Sequence, residues 1–123
     1  MEMYKDIDIG EHKYRIGRLS ARTGSWILSL ALKEAQGQLS ESEYANIQQH
    51  LLSVCSRFKD EHPMPILKKD GTFAVKDLEY DLDMVLRLQV EAKGFNFADF
   101  FEKRAREVKD AMSLDPSSDS TTT

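Results

Sequence analysis

The sequence predicts a mainly α, helix-dominated α+β fold: about four helices packed around one core, with one or two short β-hairpins. Three observations carry this expectation. Tyr44, Ile47, Leu51, Val54, Cys55 and Phe58 recur at the three-and-four spacing of one helical stripe. The run WILSLAL at 26–32 is apolar on more than one helical face, as in a helix that is central or covered by a partner. Near the N-terminus, Ile7 and Ile9 alternate with Asp6 and Asp8, and Tyr14 and Ile16 alternate with Lys13 and Arg15. That period-two pattern on both sides of Gly10-Glu11 reads as a hairpin.

Each later element has a local signal. Ser20 is placed to cap a first helix reaching about Ala35, with Gly37 closing it. Ser40 followed by Glu43 forms a capping box for a second helix, expected to continue to Lys59 and to stop before His62, Pro63, Met64 and Pro65. Asp70-Gly71, between Ile66-Leu67 and Phe73, favours a second hairpin or an extended loop. A third helix is expected from about Asp77, carrying Leu78, Leu82, Val85, Leu86 and Gln89 on one face and ending at Gly94. Asn96 would cap a fourth, bearing Phe97, Phe100, Phe101, Val108 and Met112. The domain expected from this pattern covers residues 1–112. Residues 113–123, small and polar with almost nothing to bury, are expected to be a disordered tail.

Composition narrows the function. The chain has 123 residues, 41% hydrophobic and 31% charged, with a net charge of -4. Net acidity argues against gripping phosphate backbone as the main task, because that binding scales with basic groups. The mild acidity lies in the C-terminal half, so the cluster Lys13, Arg15, Arg18 and Arg22 keeps a DNA-associated regulatory role as an alternative. The N-terminus has no apolar signal core, and no stretch approaches the roughly 20 apolar residues of a membrane span. A soluble cytoplasmic protein with no membrane contact is expected.

Catalysis finds little support, and no enzyme, metal or cofactor is expected. Cys55, the single cysteine, sits among apolar stripe residues, where a thiol behaves as a small core group. His12, His50 and His62 lack metal-ligand spacing. Asp77, Glu79, Asp81 and Asp83 fail as a calcium loop, with Leu82 and Leu88 where glycine and glutamate are required. What remains is apolar surface. Trp26, Ile27, Leu30, Phe97, Phe100 and Phe101 are the candidate partner-binding residues, bordering a groove for an amphipathic helix. The broadly apolar first helix also makes self-association an expectation.

The extended run KYRIGRLSAR at 13–22 leads directly into WILSLAL at 26–32, and further helices and a polar C-terminus follow. In this order of segments the chain resembles the tail assembly chaperones of long-tailed, siphovirus-like bacteriophages. The resemblance spans roughly residues 14–112. It implies a mainly helical protein of the host cytoplasm that binds the tape measure protein, keeps it soluble while tail-tube subunits assemble around it, and is absent from the mature virion. It also implies the tail-tube protein as a partner. Many such proteins are made in a second, frameshifted form whose C-terminal extension recruits it. The resemblance supplies no catalytic residues. A small structural tail or head-completion protein is the other alternative.

Overall fold

The computed structural model describes residues 1–113, with side chains described through Lys103 and for Arg106 and Glu107. In chain order the elements are β1 (Tyr4–Ile9), β2 (His12–Gly17), α1 (Ala21–Ala35), α2 (Glu41–Ser53), β3 (Cys55–Lys59), β4 (His62–Pro65) and α3 (Leu82–Ser113), with one 3-10 turn at Lys76–Leu78. The expected four helices with separate hairpins are therefore corrected to three helices and one four-stranded antiparallel sheet of order β1-β2-β3-β4.

The N-terminal hairpin forms as its alternation requires. Ile7 pairs with Tyr14 and Asp6 with Arg15, and Gly10 supplies the positive φ of 61° that the two-residue turn demands. Tyr14 and Ile16 are buried, whereas Lys13 and Asp8 face away from the helices. The starts of α1 and α2 also follow the sequence. Ser20 accepts from the Thr23 N–H, and Ser40 and Glu43 form the reciprocal capping box. Gly37, at φ 70°, turns the chain out of α1.

Two expectations fail for tertiary reasons. The second helix stops at Ser53, and residues 55–59 become a strand. Cys55 and Phe58 fit a helical stripe, but Cys55, Arg57 and Lys59 fit one face of a strand equally well. The open edge of β2 decides the matter: Ile16 pairs with Cys55, Arg15 with Ser56 and Tyr14 with Arg57. The prolines that were expected to end a helix instead lie in β4, the outer strand, where a missing N–H costs the ladder nothing. The β3–β4 turn holds two non-glycine residues at positive φ, Asp60 at 51° and Glu61 at 69°. Residues 66–75 form a loop closed by the single bridge Leu67 to Phe73.

The expected third and fourth helices are one continuous helix, α3. It starts at an Asp81 cap, whose carboxylate accepts from the Met84 N–H at 3.1 Å, rather than at Asp77. Gly94 does not end it and Asn96 does not cap a new one. Their segment is held by tertiary contacts that outweigh the roughly 1 kcal/mol propensity cost of an interior glycine. Asn96 Oδ1 accepts from the Leu19 N–H at 2.8 Å, and its Nδ2 donates to Gly17 O at 3.1 Å and to Ala92 O at 2.9 Å. Arg18 adds bonds to Phe95 O and Glu2 O. The step from β2 to α1 is thus stitched to the middle of α3.

The helices cover one face of the sheet. Tyr14, Ile16 and Cys55 from the sheet meet Ile27, Leu30, Ile47 and Leu51 from α1 and α2, and Val85, Leu88 and Ala92 from α3. Tyr14 is fully buried, and its hydroxyl accepts two bonds from Arg57, which also pairs with Asp77. Beyond Phe97, the described side chains of α3 from Ala98 to Lys103 are all exposed.

Candidate functional site

Ser20 with residues 21–28 of α1, and residues 96–100 of α3, face one another across an open groove of about 480 Å³. The α1 wall is low because Ala21, Gly24 and Ser25 are small, with Leu28 further along. The α3 wall is tall because it carries Phe97 and Phe100. Leu19 and the flexible side chains of Met1 and Met3 complete the lining, and Arg18 brings the one charged side chain among the described residues that line it. The Arg18 guanidinium is already engaged with two backbone carbonyls and stacks 4.0 Å from the Phe95 ring. Phe101 packs edge-on against Phe100, with ring centroids 5.6 Å apart. The groove thus offers apolar contact with few fixed polar demands.

The six candidate residues separate into three environments. Phe97, only 5% exposed, lines the groove beside Phe100, which is 44% exposed; Phe101 lies alongside at 40%. Ile27 and Leu30 are packed inside the core. Trp26 is 43% exposed but lies on the flank of α1 turned towards α2, where its ring meets His50 edge-on at 5.0 Å. Sequence reasoning missed Ala21, Gly24 and Leu28 as a wall. Leu28 belongs to the broadly apolar run at 26–32, but Ala21 and Gly24 precede it and are too small to mark a face; only the position of α3 makes them a wall.

The basic cluster does not converge on a common point. Arg15 makes a two-pronged pair with Asp6 at 2.8 and 3.2 Å, lies 3.7 Å from the Tyr4 ring, and holds the Asp6 carboxyl below the usual carboxylate range through that bond. Lys13 sits over Phe58 on the same outer sheet face, whereas Arg18 is committed to Phe95 of α3 and Arg22 lies in the first turn of α1.

Burial pushes the Cys55 thiol up to about 12, so the thiolate is scarce at neutral pH. Among the described residues, no group of His, Cys, Asp or Glu has the geometry to hold a metal ion. No helix in the described residues is long and apolar enough to cross a membrane.

An α+β scaffold that presents an apolar groove between two helices has the equipment of a protein-binding module. A family model described as phage tail assembly chaperone protein, TAC, matches residues 27–108, well over half of the chain. The chain belongs to the phage tail assembly chaperone family, a family of assembly proteins rather than a known enzyme class. No curated protein and no solved structure matches it. The matched stretch runs from Ile27 in α1 to Val108 in α3 and includes the tall wall of the groove.

Proposed function

We propose that this chaperone binds an amphipathic helical segment of the tape measure protein in the groove between α1 and α3, keeping that protein soluble until tail-tube subunits assemble around it. The action takes place in the host cytoplasm, with the tail-tube protein as a second partner, and the chaperone does not remain in the finished virion. The observation that carries this reading is the lining itself. Phe97, Phe100, Leu28 and Leu19 face an open groove where the one charged side chain among the described lining residues, Arg18, is already bonded to backbone.

A helix laid in such a groove gains about 25 cal/mol for each Å² of apolar surface removed from water. Methionine side chains at Met1 and Met3 suit an occupant that varies along its length, because they adjust without strain. Phe100, at 44% exposure, presents on the order of 90 Å², so its full burial is worth about 2 kcal/mol.

Co-expression with the tape measure protein provides the test. Wild type is expected to keep the tape measure protein in the soluble fraction. Phe100→Glu, at an exposed position, is expected to fold normally and to lose that rescue. Equal rescue by a folded Phe100→Glu, Leu28→Glu double variant would contradict the reading.

A further inference from the structure

The helices do not cover the helix-side face of the sheet along its whole length. Side chains alternate along a strand, so His12 shares that face with Tyr14 and Ile16, and Arg57 and Lys59 share it with Cys55. Tyr14, Ile16 and Cys55 are buried, whereas His12 and Lys59, next to the two turns, are exposed. A cavity of about 450 Å³ occupies this uncovered end, within the range of about 300–1,000 Å³ usual for ligand sites. His12, Arg57 and Lys59 line it with Met64 and Pro65 of β4, and Ala74 and Val75 of the following loop complete it. No Asp or Glu is among the described residues that line it. Its cationic groups also keep donors in reserve. Arg57 donates to the Tyr14 hydroxyl through Nε and Nη2 and to Asp77 through Nη1. A guanidinium carries five N–H groups, so one on Nη2 has no acceptor among the described residues, on a side chain only 12% exposed. Neither His12 nor Lys59 has an ion-pair partner among the described residues.

We infer that this cavity binds an acidic segment of a protein partner: a glutamate or aspartate side chain against Arg57 and Lys59, with a neighbouring aliphatic side chain against Met64 and Val75. Charge-assisted bonds to a carboxylate are the strong ones, and the guanidinium is shaped for that group. The apolar part of the lining then buries the neighbouring residue, which a phosphate backbone does not supply. The turn residues Glu11, Asp60 and Glu61 stand at the same end of the sheet without lining the cavity. They repel a uniformly charged polyanion but tolerate a single carboxylate set between apolar residues. The site is also separate from the groove. Arg57 is tied to Asp77, ahead of α3, whereas the groove is reached at Asn96, about 20 Å further along that helix. Its occupation therefore does not depend on the tape measure reading.

The test is a titration of the full, nitrogen-15-labelled chain with the pentapeptide acetyl-Leu-Glu-Leu-Glu-Leu-amide at low salt, followed through the backbone amides. Saturable shifts are expected at residues 12, 57–59, 64 and 74–75, complete by about 5 mM peptide, the concentration needed for a millimolar complex. The same peptide with glutamine in place of glutamate is expected to bind about fivefold more weakly, because its neutral amides give up the charge-assisted bonds. Lys59→Glu, at an exposed position, is expected to weaken binding about fivefold while leaving far-ultraviolet circular dichroism unchanged. Phe100→Glu is expected to leave binding as in wild type. Absence of saturable shifts overturns the inference, as do equal binding of the glutamine peptide and shifts centred on the α1–α3 groove. So do wild-type binding by Lys59→Glu and tighter binding of a thymidine oligonucleotide at the same residues.

Discussion

Asn96 is the residue whose replacement tests the architecture most sharply. Its side chain satisfies the Leu19 N–H and the Gly17 carbonyl, two backbone groups at the end of β2. The third bond, to Ala92 O, is expendable because the carbonyl of a helix interior already has its own i+4 N–H donor. Asn96→Ala therefore removes two net bonds of about 1 kcal/mol each and leaves partly buried backbone groups unpaired. Against this, alanine gains about 0.6 kcal/mol of helix propensity over asparagine. A loss of about 1.5–2.5 kcal/mol in unfolding free energy is the expected result, measured by urea titration with Trp26 emission as the probe. Asn96→Asp separates two roles. As a helix cap, aspartate would serve as well as asparagine. As the clamp seen here, it loses the donor to Gly17 O and sets a carboxylate against that carbonyl, so it should be at least as destabilising as alanine. An Asn96→Asp protein as stable as wild type, or an Asn96→Ala protein more stable, would refute the clamp.

Other consequences follow from single features. Gly94 lies inside α3 with nothing within 4 Å of an added Cβ, so Gly94→Ala should stabilise the protein by about 1 kcal/mol in the same titration. Glu61 sits at φ 69° in the β3–β4 turn, and Glu61→Gly should relieve about 1 kcal/mol of left-handed backbone strain, visible as a higher melting temperature. The buried Cys55 thiol should react with a thiol reagent only as fast as the protein opens, and at once in denaturant. The Lys33 ammonium, and then the Ser40 N–H, hold the Glu43 carboxyl at about 2 rather than 4.5. The unfolded chain takes up that proton first as the solution is acidified. This contribution is thus complete above about 4.5 and is lost as pH falls towards about 2. Glu43→Gln should lower stability at neutral pH and flatten the profile across that interval.

Local chemistry made the starts of α1 and α2 and the N-terminal hairpin legible. Ser20, Ser40 and Glu43 bond backbone within their own turns, and Ile7, Tyr14 and Ile16 alternate on strands joined by two residues. What could not be read was decided by distant neighbours. Cys55 was expected to be buried, and it is, but on β3 rather than on a helix. Residues 54–58 fit either period, and only the edge of β2, about forty residues earlier, selects the strand. Gly94 and Asn96 carry the local marks of a helix end and a helix start. The bonds from Asn96 to Gly17 and Leu19, made across nearly eighty residues, keep α3 continuous instead. The candidate residues for partner binding show the same division. Phe97 and Phe100 were visible as an aromatic pair, but the same apolar character made Ile27 and Leu30, which are core, indistinguishable from them. Trp26 stands apart because the rotation of α1 turns it towards His50 and away from Phe97.

The central claim, that the groove between α1 and α3 receives the partner, is tested most directly by site-specific photocrosslinking. Cys55 is buried and slow to react, so a cysteine introduced at an exposed site can be labelled alone with a benzophenone maleimide. Phe101→Cys places the label beside the groove. Asp8→Cys places it on the sheet face turned away from the helices. After incubation with the co-expressed tape measure protein and illumination, a covalent adduct is expected from the position 101 label and none from the position 8 label. An adduct formed equally from both, or from position 8 alone, would contradict the account.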